Sequence, residues 1–249
     1  MSDAQISLIN EESAIEKPGF LKRILWVLTS PGKLMESLAE KPRVLFGLIL
    51  SALSMDVLYL TRMPLYKDFL RSSTLATADY VESLTGQVMT SEMIESSIPA
   101  AAIQGLIFTP ITWVIMLLFI TLIFFAILKI MGGQGKFKAY LSVTGYSYVI
   151  PALYIILLIP VSFVTGSIHQ DSPLTSLATL ASPDMQGTFL NGMLKGIDIF
   201  SIWSYAVMAI GFTAVSKLKK TYVYGVVGII FLIGLIIAGV SETALKAFM

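Results

Sequence analysis

Five long apolar runs, Arg43–Leu60, Ile103–Ile130, Tyr140–Val164, Ile197–Val215 and Val223–Val240, are separated by segments in which polar and apolar residues mix at helical spacing. A helix rises about 1.5 Å per residue, so runs of this size match the ~30 Å hydrocarbon core of a bilayer. Lipid offers no partner for backbone N–H and C=O groups, which leaves helices or closed barrels as spanning structures. Barrel strands would show alternating segments of ~10 residues, and these runs do not alternate. The pattern predicts an all-α integral membrane protein, a bundle of five transmembrane helices.

The intervening segments predict the remaining organisation. Residues 1–17 are polar, with Glu11, Glu12 and Glu16 and no apolar stretch of the signal-peptide kind, and are expected to form a flexible cytoplasmic tail. In 18–42, Phe20, Leu21, Ile24, Leu25 and Leu28 recur at helical spacing around Lys22 and Arg23, which predicts an amphipathic helix on the inner membrane surface. Ser30 is placed to cap a second short helix that opens with Pro31 and carries Leu34, Met35 and Leu38 on its apolar side. Both helices either dock on the inner leaflet or pack beneath the bundle. The membrane domain is expected over 43–240, with outer loops 61–98 and 166–195 and an outer tail at 241–249. The first loop, carrying Asp68, Asp79, Glu82, Glu92 and Glu95, predicts one or two amphipathic helices. Pro99 is expected to restart the chain, and Pro110 to kink the second run or open its membrane-embedded part. In the second loop Ser182, Pro183 and Asp184 mark a helix start.

Charge gives these spans a direction. The 249 residues are 55% hydrophobic and 13% charged, with a net charge of +1, against ~25% charged residues in soluble domains. No overall pull toward nucleic acid follows. With the N-terminus inside, Lys17, Lys22, Arg23, Lys33, Lys41, Arg43, Lys129, Lys136, Lys138, Lys217, Lys219 and Lys220 fall on the cytoplasmic side, which is 12 of the 17 basic residues. The positive-inside rule therefore predicts N-in/C-out.

The third run differs from the others. Gly145, Pro151 and Pro160 interrupt it, and Ser142, Thr144, Tyr146, Ser147 and Tyr148 place hydroxyls in its first half. Such a helix at membrane depth faces protein or water. It either lines a cavity or hinge, or packs tightly with its hydroxyls bonded to backbone. Polar partners are available in the fourth run from Ser201, Ser204 and Tyr205, so these two spans are expected to be neighbours, with a break or bend at Pro151 and Trp203 largely covered by protein. In the fifth run Gly234 and Ala238 form a small pair that permits close helix approach.

Two acids, Asp56 and Asp198, lie at or inside the ends of spans. A carboxylate costs ~2.5–3.5 kcal/mol at the centre of a membrane helix, falling toward the interface. Each acid is either a helix-end or interfacial group, or a buried proton or ion site. Trp26, Trp113 and Trp203 fit interfacial anchoring or packing. Gly132, Gly133, Gly135 and Lys136 lack the Gly-Lys-Ser/Thr ending of a phosphate loop, because Phe137 follows Lys136. A flexible cytoplasmic turn, whose Lys129, Lys136 and Lys138 meet anionic lipid headgroups, accounts for them. Cysteine is absent, which excludes thiolate chemistry. No catalytic triad, HExxH or dinucleotide fingerprint occurs, so the sequence predicts no enzyme and no catalytic residue, cofactor or metal site.

Three stretches, TSPGKLMESLAEKP at Thr29–Pro42, GGQGKFKAYLSVTGYSYVIP at Gly132–Pro151 and DIFSIWSYAVMAIG at Asp198–Gly211, together resemble the bacterial branch of the Yip family, the membrane proteins named for interacting with Ypt/Rab GTPases in eukaryotes. The resemblance covers about Leu28–Val240. It lies in a glycine-rich loop followed by Phe137, Tyr140 and a proline-broken helix, and in an Asp-x-Phe-x-x-Trp approach to span four. It implies a five-span bundle with a cytoplasmic N-terminus and points to Tyr146, Tyr148, Pro151, Asp198 and Trp203, with the glycine loop, as interaction residues. For bacterial relatives it further implies assistance to other membrane machines, such as export-type ABC transporters.

These readings converge on a non-enzymatic protein of the bacterial inner membrane that acts through a membrane-protein partner or a second copy of itself, as an accessory or assembly factor. The alternative is a small transporter or channel that uses the broken third span with Asp56 and Asp198. An odd number of spans, with no inverted repeat, weighs against it.

Overall fold

The computed structural model describes residues 19–86, 88–170 and 173–247. The expected tail at 1–17 lies outside them, as do the side chains of Phe20, Asp79, Lys246 and Ala247. Helices α1 (Phe20–Thr29) and α2 (Pro31–Glu40) meet at Ser30. Pro31 takes the first position of α2, where its missing N–H has no helical partner to lose. Ser30 precedes it as expected, but its side chain makes no cap bond. Of the two predicted placements, α2 adopts the packed one: Leu34, Met35 and Leu38 are at most 1% exposed and wedge against α7 and α10. α1 buries Val27 and leaves Leu21, Leu25 and Leu28 exposed.

Five helical stretches are long and apolar enough to cross a membrane: α3 (Val44–Thr61), α6 (Ser91–Ile130), the α7–α8 pair (Phe137–Ser147 and Val149–Thr165), α10 (Ile199–Ser216) and α11 (Lys220–Ala247). No strand occurs among the described residues. On α6, Ile103, Ile107, Ile111, Ile115, Phe119 and Leu122 are all about half or more exposed and repeat at three- or four-residue spacing. A stripe this apolar would be a liability in water and is the ordinary lipid-facing surface of a span. α11 continues through Val240 to Ala247, so most of the expected outer tail is helix.

Between α3 and α6 lie α4 (Met63–Ala76) and α5 (Ala78–Thr85). α6 runs 40 residues without interruption, about 60 Å at helical rise and twice what the hydrocarbon core needs. Neither Pro99 nor Pro110 restarts or ends it; each removes one backbone donor, and the turns on either side hold the helix together. Its real start is set by Thr90, whose hydroxyl accepts from the Met93 amide, with Glu92 in the first turn. α4 packs along the N-terminal part of α6, pinned by Arg71, which bonds to both carboxylate oxygens of Glu95 and to Asp68. The Glu95 carboxylate, first, and Asp68 hold the Arg71 guanidinium above its ordinary pKa. This pair of helices with α5 forms an arm at the end of the bundle opposite the glycine loop and its lysines.

The core has two parts. At the lysine-rich end, Phe124, Leu128, Tyr140, Val143, Tyr146, Phe212 and Val223 close around α2. At the arm end, Leu58, Tyr59, Tyr66, Ala102, Ile155, Leu158 and Ile168 form a second cluster. The connection between spans three and four contains two 3₁₀ turns, Leu177–Leu180 and Pro183–Met185, and then α9 (Phe189–Gly196). Ser182 and Pro183 start only the second of these turns, and Thr188 caps α9 by accepting from the Asn191 amide.

Candidate functional site

The seam between span three and its neighbours is built on one backbone feature. Pro151 lacks the N–H that would bond the Ser147 carbonyl four residues earlier. The helix accordingly breaks at Tyr148, three residues before the proline. Ser204 on α10 donates its hydroxyl to the freed Ser147 carbonyl at 3.0 Å. Spans three and four are therefore neighbours, as expected, and the break itself supplies the bond between them. Thr144 and Ser147 hydroxyls turn back onto the carbonyls of Tyr140 and Val143 at 3.1 and 2.9 Å. Ser142 clamps the start of α3, accepting from the Arg43 amide at 3.0 Å and donating to the Arg43 carbonyl at 3.2 Å.

On the other side of span three, backbones touch. A Cβ on Gly47 would fall 2.6 Å from the Gly145 carbonyl carbon and 2.8 Å from the Tyr146 nitrogen. Beside this crossing Ser51 donates to the Gly47 and Gly145 carbonyls at 2.7 and 3.3 Å. Tyr146 is fully buried against Phe46, ring centroids 5.7 Å apart, and its hydroxyl accepts from Arg23 of α1 at 3.3 Å. Tyr148 lies edge-on to Trp113 and faces the Tyr205 hydroxyl. Trp203 departs from expectation: it is 40% exposed, because the α10 side that meets span three carries Ser204, Val207, Met208 and Gly211 instead.

The glycine loop is a helix stop with a docking role. α6 ends at Ile130, and the Gly132 and Gly133 amides return to the Lys129 and Leu128 carbonyls at 3.0 and 2.8 Å, the two bonds of a Schellman motif. Gly132 has φ +89° and Gly135 φ +81°, the left-handed region that favours glycine. The Gln134 amide donates to the Ser216 carbonyl at the end of α10, and the Tyr140 hydroxyl donates to the Gln134 carbonyl. A Cβ on Gly133 would lie 2.6 Å from the Leu128 oxygen. Lys136 is exposed and precedes Phe137, the first residue of α7. Lys129, Lys138, Lys217, Lys219 and Lys220 are exposed on the same end of the bundle.

Asp198 sits at the opposite end of α10, about 27 Å away along an 18-residue helix, so the two motifs are not brought together. It is the N-cap, accepting from the Phe200 and Ser201 amides at 2.9 and 3.0 Å. The Thr175 hydroxyl also donates to it. Asp198 and Pro151 line one cleft of about 180 Å³ with Met55, Tyr154, His169 and Gln170. A larger groove of about 490 Å³ runs between α4 and Gly166–Gln170. Asp56 is 7% exposed, and its Oδ1 has no hydrogen-bond partner among the described residues.

Sequence reasoning missed a polar cluster at the arm end. Glu242 on α11 accepts from Lys195 at 2.8 Å, Asn191 at 2.9 Å and the Gly187 amide at 3.3 Å. Opposite charges at the ends of successive spans were the available signal. The close approach on α11 involves only one member of the expected pair: a Cβ on Gly192 would meet the Ala238 carbonyl oxygen at 2.5 Å and the Gly239 Cα at 2.8 Å, whereas Gly234 has only the Tyr205 hydroxyl at 3.9 Å.

Five spans, a broken third helix and a capped fourth define a polytopic helical membrane protein. Residues 26–241 match the Yip1 domain, and the chain belongs to the Yip1 domain family. It is 25% identical over 228 residues to Membrane protein YknW of Bacillus subtilis (strain 168), covering 92% of this chain and 90% of that protein. No solved structure matches.

Proposed function

We propose that this protein is a non-enzymatic accessory or assembly factor of the bacterial inner membrane, acting through a membrane-protein partner such as an ABC-type exporter. The observation that carries this reading is the fate of the polar groups in span three. Ser142, Thr144, Ser147 and Tyr146 are bonded to backbone or to α1 within the bundle, which is how packed helices use hydroxyls. A transport path would instead turn them toward a wet cavity. Family membership supports the same reading through the resemblance described above.

The lysine-rich end is the cytoplasmic one in this account, where Lys136 and its neighbours meet anionic headgroups, and the arm is extracytoplasmic. Leu75, Leu84, Val88 and Met93 are exposed on that arm, beyond the length the bilayer requires, and offer an apolar surface to a partner. Purification in mild detergent tests the reading: reproducible co-purification of a defined membrane protein supports it, and a clean monomer under gentle conditions counts against it. The transporter alternative retains one favourable observation, the cleft lined by Pro151 and Asp198. Solute flux in proteoliposomes would establish it.

A further inference from the structure

Asp56 and Asp198 look alike in the sequence, and the structure separates them. Asp198 is satisfied on every side by amides and a hydroxyl. Asp56 is as deeply buried, at 7% against 5% exposure, yet its Oδ1 has no partner and no cation lies against it among the described residues. A carboxylate oxygen buried without a partner is costly, because it loses its hydration and gains no hydrogen bond in return. Two compensations exist: a bound cation, or a proton on the carboxyl.

The surroundings favour the proton. On α3, Tyr59 lies one turn away and donates its hydroxyl to Gln170 at 2.8 Å. From α4, Tyr66 stacks on Tyr59 with ring centroids 3.9 Å apart and planes 6° from parallel. On α8, the Tyr154 hydroxyl accepts from the Leu174 amide at 2.9 Å. The Arg62 guanidinium, at the end of α3, donates to the Ser162 carbonyl and lies over the Phe163 ring, while its Nε has no hydrogen-bond partner among the described residues. The stretch of α6 packed here, Ala102–Pro110, has no ionisable residue. No group of three metal ligands occurs among the described residues.

We propose that Asp56 is a proton-binding site, a buried carboxylic acid on the helix that carries Tyr59 and its stacking contact with Tyr66 of α4. The site is independent of which partner the protein serves. It places one exchangeable proton at the arm end of span one.

Infrared difference spectroscopy on the full-length protein in lipid nanodiscs at neutral pH tests the assignment. The expected result is a protonated-carboxyl C=O band that shifts with ¹³C-aspartate labelling, disappears in Asp56→Asn and returns at a moved frequency in Asp56→Glu. The labelled wild-type protein alone carries the test if a variant fails to fold. Absence of an aspartate-derived band, or its persistence unchanged in Asp56→Asn, overturns the proposal. So does a band bleached by added Na⁺ at constant pH, which would make the site a cation site.

Discussion

Serine 204 and proline 151 form a pair whose meaning lies in the backbone between them. If Ser204 satisfies a carbonyl that Pro151 orphans, Ser204→Ala should destabilise the protein by ~0.6 kcal/mol, the usual worth of an interhelical bond in a bilayer. In a Pro151→Ala background the new amide can take the Ser147 carbonyl, and the same serine substitution should then have little effect. A double-mutant cycle in mixed-micelle unfolding measures the difference. The glycines divide in the same way. Gly47→Ala would put a methyl 2.6 Å from backbone carbon and should cost ~1–3 kcal/mol as overpacking. Gly228→Ala meets nothing within 4 Å and should stabilise α11 by up to ~1 kcal/mol through helix propensity. Thermal unfolding in detergent orders these two variants. Gly145 was readable as special from its place in a hydroxyl-rich run, but its partner Gly47 was hidden in an unremarkable apolar one. A backbone crossing is a property of two helices, and one sequence window shows only half of it.

Elements were more legible than the contacts between them. Span lengths follow from hydrophobic continuity, which is local, and all five runs are helices. Pro99 misled where a local rule was applied to a long helix: it sits inside α6, as Pro110 does, and the many remaining bonds outweigh two missing donors. Packing of α2 into the bundle was one of two readings, because an apolar helical face looks the same whether lipid or protein covers it. α9 is held onto α11 by Glu242, whose neighbours on three sides are donors. Removing one charge leaves the other without its partner in a largely covered site. Glu242→Gln should therefore loosen the segment before α9 and raise its cleavage by limited proteolysis. Lys195→Met combined with Glu242→Leu should restore resistance, because no unpaired charge remains. A double variant as sensitive as the single one would mean that the pair is not what seats α9.

At the scale of the whole molecule the two ends differ in character, and the account depends on that polarity. Lysines and the glycine loop gather at one end; the α4–α5 arm and the first turns of α6 project from the other. The chain has no cysteine, so single cysteines report topology cleanly. Leu84→Cys should react with a membrane-impermeant maleimide on intact cells, and Lys219→Cys only after permeabilisation. The reverse pattern would invert the bundle. The central claim, action through a protein partner, is tested most directly by photo-crosslinking in living cells with a benzoylphenylalanine at Leu84, Val88 or Met93 and, as the lipid-facing control, at Ile111. The account predicts a discrete adduct with one membrane protein from the arm positions and none from Ile111. Adducts with lipid alone at every position, in protein that is folded and correctly inserted, would contradict it.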